Sequence, residues 1–234
     1  MVAGSVRGPA HVRSGERCQD AWLAIPDSDA SLAVVCDGMG SRSRAREGAT
    51  AATLATRDAW RWWRCSPVGS VADLIRLIEV RWRLRLGAIP PDAASTTCLF
   101  YAEDGHGRAS VGQLGDGMIA RRDATGDVVI HRRLASEFGA TSALGVRHTL
   151  ADWSYRLATP LRPGESVLMA TDGVAEDLRP ERIGDLMRWV IDELGAQEHG
   201  NRQLRSELRS WPVPHHRDDK TLLVMWRPCK SPNE

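Results

Sequence analysis

Two aspartates, each followed by glycine at the end of a short apolar run, are the residues of this chain best suited to do chemistry. Leu32-Ala33-Val34-Val35-Cys36 leads into Asp37-Gly38-Met39-Gly40, and Val167-Leu168-Met169-Ala170-Thr171 leads into Asp172-Gly173. Apolar runs of this length bounded by turn residues read as buried strands, which carry each carboxylate to the rim where the strand leaves the core. Val111-Gly112-Gln113-Leu114 running into Gly115-Asp116-Gly117 repeats the idea more weakly. Asp218-Asp219 precedes Thr221-Leu222-Leu223-Val224-Met225-Trp226, and Gln19-Asp20 precedes Ala21-Trp22-Leu23-Ala24-Ile25. Carboxylates, backbone carbonyls and water suit magnesium or manganese. The absent side chain at Gly38 lets its carbonyl approach such an ion. Two ions bridged by Asp37 supply the two-metal mode of phosphoester hydrolysis, which needs no protein nucleophile. Taken singly, Asp-Gly is also an ordinary turn dipeptide, and Asp104-Gly105 reads as no more than that.

The elements that must position these carboxylates come in blocks. A helix is expected over 46–64, small at its start (Gly48, Ala49, Thr50, Ala51, Ala52) and bulky at its end (Trp60, Trp62, Trp63). A second follows over 71–86, with Leu74, Ile75, Ile78 and Trp82 at amphipathic spacing. Strands are expected over 96–102, 109–114, 118–122 and 128–132, joined by links of hairpin composition, then over 153–158 after a loop-rich stretch at 135–152. Pro180 opens a helix to about 194, a short helix covers 201–210, and the last strand is 221–226. Blocks of strands and helices, rather than strict alternation, favour α+β with antiparallel sheets.

Composition bounds the alternatives. A chain of 234 residues fits one larger domain, spanning 1–234, that buries roughly 70% of its unfolded surface. Thirty-one basic against thirty acidic residues give a formal charge of +1, so no global field recruits nucleic acid or an anionic membrane. The five cysteines include no Cys-x-x-Cys pair, which argues against a disulfide framework or a structural zinc site. With no signal-like or spanning apolar stretch, a cytoplasmic setting is the expectation.

The motifs, in their order, resemble the metal-dependent PP2C-type (PPM) serine/threonine protein phosphatases, in a compact bacterial form. Cys18-Gln19-Asp20-Ala21 resembles the opening acidic motif of that family, 34–40 its bridging-metal motif, and Ser95-Thr96-Thr97 its small-Thr-Thr strand start. Segment 112–117 resembles the Val-Gly-Asp-Ser motif, 141–145 the Ala-Leu-Gly segment before the flap, and 168–174 and 218–224 the two late metal motifs, so the match runs from about 11 to 226. The resemblance implies an αββα sandwich of two antiparallel sheets flanked by helices. It implies Asp37, Gly38, Asp172 and Asp218 as ligands of two Mn2+ or Mg2+ ions, Asp20 behind them holding waters, and Asp116 at a third, looser ion. Hydrolysis of phosphoserine or phosphothreonine by a metal-activated water follows, with Asp37 and Asp172 as catalytic ligands and a cognate Ser/Thr kinase or its targets as partners.

Several positions depart from the family pattern. Ser41 stands where a glycine usually follows, Asp219 replaces the usual asparagine, and Gln19 replaces a glutamate. Met39 stands where some relatives carry a histidine proposed as general acid, a role His11 could serve. The phosphate-binding arginine does not align without a gap; Arg13 is the choice and Arg17 the second. The flap at 145–152 is short, which predicts an open site with selectivity supplied elsewhere, the Trp60 to Arg64 cluster and the Arg42-Ser43-Arg44-Ala45-Arg46 turn being the candidates. A non-catalytic adaptor and a small-molecule phosphoester hydrolase are the alternative readings of the same scaffold.

Overall fold

The structure is a computed structural model that describes residues 1–28, 30–66, 68–131, 141–211 and 217–229. Two antiparallel five-stranded sheets lie face to face. The first has the order β1 (Val2–Val6), β10 (Lys220–Trp226), β9 (Ser166–Ala170), β6 (Met118–Arg122), β7 (Val128–His131). The second has the order β2 (Ala21–Ile25), β3 (Leu32–Cys36), β4 (Cys98–Glu103), β5 (Ala109–Leu114), β8 (Ser154–Ala158).

The period-two alternation of strands sorts each apolar run into two layers. Along β3, Ala33 and Val35 enter the layer between the sheets with Leu99, Tyr101, Met169 and Leu223. Leu32, Val34 and Cys36 face the other way, against helices α2 (Ala45–Trp63) and α3 (Val71–Leu86). Along β9, Val167 and Met169 point between the sheets, whereas Leu168 and Ala170 meet α5 (Ile183–Trp189) and α6 (Gly200–Ser210) on the outer side of the first sheet. An apolar run with no alternation is thus one covered on both faces, and the αββα layering follows directly from it.

The small start of α2 has a steric cause. A Cβ at Gly48 would lie 1.8 Å from the Ala94 carbonyl oxygen, and the Trp82 indole of α3 donates to the Gly48 carbonyl at 3.0 Å. The tryptophans of α2 mostly anchor the core, as helical tryptophans commonly do, and only one is left as a docking candidate. Trp60 and Trp63 are buried, the Trp60 Nε1 donating to the Glu103 carbonyl at 2.6 Å and the Trp63 Nε1 to the Ser70 carbonyl at 3.1 Å. Trp62 alone faces solvent, at 65% exposure, with the Arg81 guanidinium over its ring. α3 starts at a reciprocal Ser70/Asp73 cap.

Sequence and structure differ at three places. β1 and the short helix α1 (Pro9–Ser14) had no signal in the residue pattern. The helix after Pro180 is composite, 3-10 over Pro180–Arg182, α over α5, then a π turn over Val190–Leu194. The strand expected at 96–102 begins at Cys98, with Thr96 forming single bridges to Gly38 and Leu144. Part of the loop-rich stretch, 135–140, lies outside the described residues. Among the described residues, no helix is long and apolar enough to cross a membrane.

Candidate metal centre and active-site cleft

Asp37 leaves the end of β3 and is fixed through its backbone by the Thr-Thr pair that precedes β4. The Asp37 N–H donates to Thr97 Oγ1 at 2.9 Å, and its carbonyl accepts from the Thr97 N–H at 2.8 Å and from Thr96 Oγ1 at 2.8 Å. Thr96 in turn exchanges both backbone hydrogen bonds with Leu144, so the segment before the flap is pinned to the same point. The bonds that flank Gly38 run from Met39 N–H to the Ser95 carbonyl and from Thr97 N–H to the Asp37 carbonyl, and among the described residues no backbone N–H donates to the Gly38 carbonyl. A Cβ at Gly38 would meet the Ala45 carbonyl oxygen at 2.6 Å, so only glycine fits. Asp172 opens the four-residue helix α4 (Asp172–Ala175) directly after β9, and a Cβ at Gly173 would lie 2.0 Å from the Asp219 carbonyl oxygen. The two Asp-Gly turns are therefore close-approach sites of backbone on backbone.

Asp37, Asp116, Asp172, Asp218 and Asp219 line one cleft of about 220 Å³ together with His11, Gly38, Ser41 and Thr141. Asp116 accepts a 2.6 Å hydrogen bond from Thr141 Oγ1. Asp20 lies behind this wall, buried, its Oδ2 accepting from Thr221 Oγ1 at 2.6 Å and Thr171 Oγ1 at 3.0 Å. Its other oxygen, Oδ1, is buried without a hydrogen-bond partner among the described residues.

The electrostatics follow from this crowding. Burial, then the charges of Asp20 and Asp172 close by, raise the Asp37 carboxyl well above the usual range. Burial also pushes Asp20 up to about 7, against the lowering effect of the Thr221 hydroxyl. Asp172 is raised by burial, its contact with Asp37 pulling the other way while the charges of Asp116 and Asp218 add to the rise. Burial, then the charges of Asp20 and Asp219, raise the Cys18 thiol, which is no nucleophile at neutral pH. Like charges gathered in a partly dry site repel unless a cation or proton stands between them.

The departure at 219 has a structural reason. Asp219 is buried, not solvent-facing; its Oδ1 accepts from the Gly8 N–H at 2.6 Å and its Oδ2 from the Gln19 N–H at 2.5 Å. Asparagine has one such acceptor and could not serve both. His11 Nδ1 lies 3.0 Å from Asp219 Oδ1, its Nε2 lies 3.3 Å from Glu16 Oε2, and its side chain is 13% exposed. Residue reading left His11 as one option; α1, which aims it into the cleft, has no sequence pattern that would have singled it out. Arg13 is exposed and lines a separate hollow with Arg7, Arg209 and Lys220, away from the acidic cleft. Arg17 lines a wider hollow that shares Gly40 and Ser41 with the cleft.

Comparison with known proteins gives the same picture. The sequence model of protein phosphatase 2C matches residues 7–211. No curated protein matches the chain significantly. Among solved structures, the PPM Ser-Thr phosphatase MsPP from Mycobacterium smegmatis, in complex with cacodylate, superposes at a TM-score of 0.63 with 19% identity, covering 97% of each chain. PppA, described as a key regulatory component of T6SS in Pseudomonas aeruginosa, gives 0.63 at 19% identity over 95% of each chain. RsbX in complex with magnesium gives 0.59 at 13% identity, over 95% of this chain and 92% of that one. At these identities the superpositions speak for the fold, two antiparallel sheets between helices; together with the sequence match over most of the chain, they make this protein a member of the protein phosphatase 2C family.

Proposed function

We propose that the protein is a divalent-metal-dependent phosphatase that hydrolyses phosphoserine or phosphothreonine in a partner protein. The observation that carries this reading is the gathering of carboxylates, half-buried Asp37 and Asp172 in a cleft also lined by Asp116 and Asp218, with Asp20 buried behind them. The donor set is oxygen only, and the orphaned Oδ1 of Asp20 lacks the hydrogen that a water shell would supply. Among the described residues, no three His, Cys, Asp or Glu side chains converge as a finished metal cage. Magnesium does not require one, because it keeps several waters and takes one or two carboxylates. Asp37, the Gly38 carbonyl, Asp172 and Asp218 would hold two Mn2+ or Mg2+ ions, Asp20 their waters, and Asp116 a third ion. Such ions, when bound, supply an activated water and charge neutralisation for the phosphoryl group.

The rest falls to the chain itself. His11 is the one basic side chain among the described residues lining the acidic cleft, its two ring nitrogens within 3.3 Å of Glu16 and 3.0 Å of Asp219 carboxylate oxygens. Its position in the cleft supports a role for it at the departing hydroxyl, while Arg13, the choice for phosphate binding, lines a different hollow. The relatives solved with magnesium and with cacodylate support a metal and an oxyanion at this fold, and PppA, described as a regulatory component, is in keeping with a protein substrate in a regulatory system.

The test is hydrolysis of a phosphothreonine peptide, an aryl phosphate and small phosphorylated metabolites with manganese, magnesium or chelator. Activity on the peptide and aryl phosphate with either metal, lost in chelator and in Asp37→Asn and Asp172→Asn while circular dichroism is unchanged, is expected. Turnover unaffected by chelator or by these substitutions refutes the proposal, and activity confined to metabolites replaces the substrate class.

A further inference from the structure

Beside the acidic cleft lies the larger hollow, about 850 Å³, between the turn after Asp37, the first turns of α2 and the end of α3. Gly40 and Ser41 belong to the walls of both, so the two adjoin. Four arginines line the hollow, Arg17, Arg42, Arg46 and Arg85. Its two acidic residues are engaged elsewhere, Glu47 with Arg44 at 3.0 Å and Glu16 towards His11 at 3.3 Å. Arg85 is paired with Asp58. Arg17, Arg42 and Arg46 form no salt bridge with any described residue, and the Arg42 Nε is buried with no hydrogen-bond partner among them. A buried guanidinium nitrogen with no acceptor is costly to maintain and marks a place where an acceptor is missing. The acidic cleft and this basic hollow, side by side, form a bipolar surface on a chain whose net charge is +1.

Building on the phosphatase reading, we propose that this hollow docks an Asp/Glu-rich segment of the substrate polypeptide adjoining the phosphorylated residue. The cleft receives the phosphoryl group and the neighbouring arginines receive the carboxylates beside it. Arginine suits this because its planar fork takes carboxylates in pairs of parallel hydrogen bonds. Selectivity then resides in the turn that begins at Ser41, in keeping with the short segment between Gly145 and Asp152.

The experiment compares three phosphothreonine peptides of equal length, acidic, neutral and basic in their flanks, with para-nitrophenyl phosphate as the flank-free control. In the wild-type protein kcat/KM should fall from acidic to neutral by about tenfold, through KM, and further to basic. Arg46→Glu, and the double change Arg42→Gln with Arg46→Glu, should erase the preference while para-nitrophenyl phosphate turnover and melting temperature stay as in wild type; Arg46→Lys should retain part of it. Equal kcat/KM for the three peptides, or a preference that survives the double change, overturns the docking proposal and leaves the phosphatase reading standing. If nothing is hydrolysed, that reading fails, and fluorescence anisotropy of the labelled acidic peptide still decides the docking. Binding weakened about tenfold by Arg46→Glu supports it, and no binding or binding indifferent to the change rejects it.

Discussion

Single residues at the cleft carry opposing demands of fold and function. Asp37 is half-buried beside other carboxyl groups, so it destabilises the metal-free molecule. Asp37→Asn removes that repulsion at nearly constant volume, and in chelator the variant should melt about 2–4 °C above wild type, the shift expected for about 1 kcal/mol in a chain of this size. Manganese should raise the wild-type midpoint and leave the variant unmoved, because only ligands that bind the folded state stabilise it. A differential scan with and without metal checks both, and a wild-type midpoint indifferent to manganese would count against the ion site. Asp219→Asn should cost about 1–3 kcal/mol in urea denaturation, since one of the Gly8 and Gln19 N–H groups loses its acceptor. The strand-end aspartates were legible in the sequence because each sits where an apolar run stops. What Asp219 holds was not, because its partners are 211 and 200 positions away.

At the scale of elements, the segment after Leu144 is tied to α3 by a buried imidazole. His148 Nε2 meets Glu79 Oε1 at 3.0 Å, its Nδ1 faces the Val146 carbonyl at 2.7 Å, and the Trp153 Nε1 donates to the same Glu79 oxygen at 3.1 Å. The Glu79 hydrogen bond raises the His148 pKa above 6.5; burial pushes Glu79 up, but His148 outweighs it and the net shift is below 4.5. The raised histidine contributes fully below its unfolded value and fades as pH climbs through its folded one. The lowered glutamate contributes above its own unfolded value and fades as pH drops through its folded one. The pair is therefore strongest between about pH 4.5 and 6.5, the two ordinary values. His148→Gln should destabilise by about 1–2 kcal/mol at pH 6 and by less at pH 9, measured by denaturant titration. Sequence periodicity gives the helices and central strands, but not this tie, because an isolated histidine in a loop has no period to read. β1 and α1 escaped for a related reason, since five residues containing Gly4 and Ser5 show no pattern of their own and become a strand only against β10.

Across the whole molecule, the far end of β3 from Asp37 is closed by one buried acid. Glu103 Oε1 accepts from the Tyr101 hydroxyl at 2.7 Å and the Leu161 N–H at 2.9 Å, and Oε2 from the Ser31 N–H at 3.2 Å and Arg227 at 2.6 Å. These donors come from both sheets' connections, so the residue joins the two layers opposite the cleft. Glu103→Ala should cost about 3 kcal/mol, near the lower end for a broken buried pair because Arg227 keeps some solvent contact, and Glu103→Gln clearly less. Equal stability of the alanine variant in guanidinium would show that the layers need no such link. The sandwich was legible as a whole because runs covered on both faces leave one arrangement of two sheets and two helical layers, whereas its fastenings join residues that share no local pattern.

The pairing of β1 with β10 has a consequence for how the protein is made. β1 is made well before β10 and waits for it, and the carboxylate that anchors Gly8 and Gln19 arrives only just ahead of β10. While β10 is still to come, β1 goes without its mate, and the acidic cleft, whose wall includes Asp218 and Asp219, cannot assemble by stages.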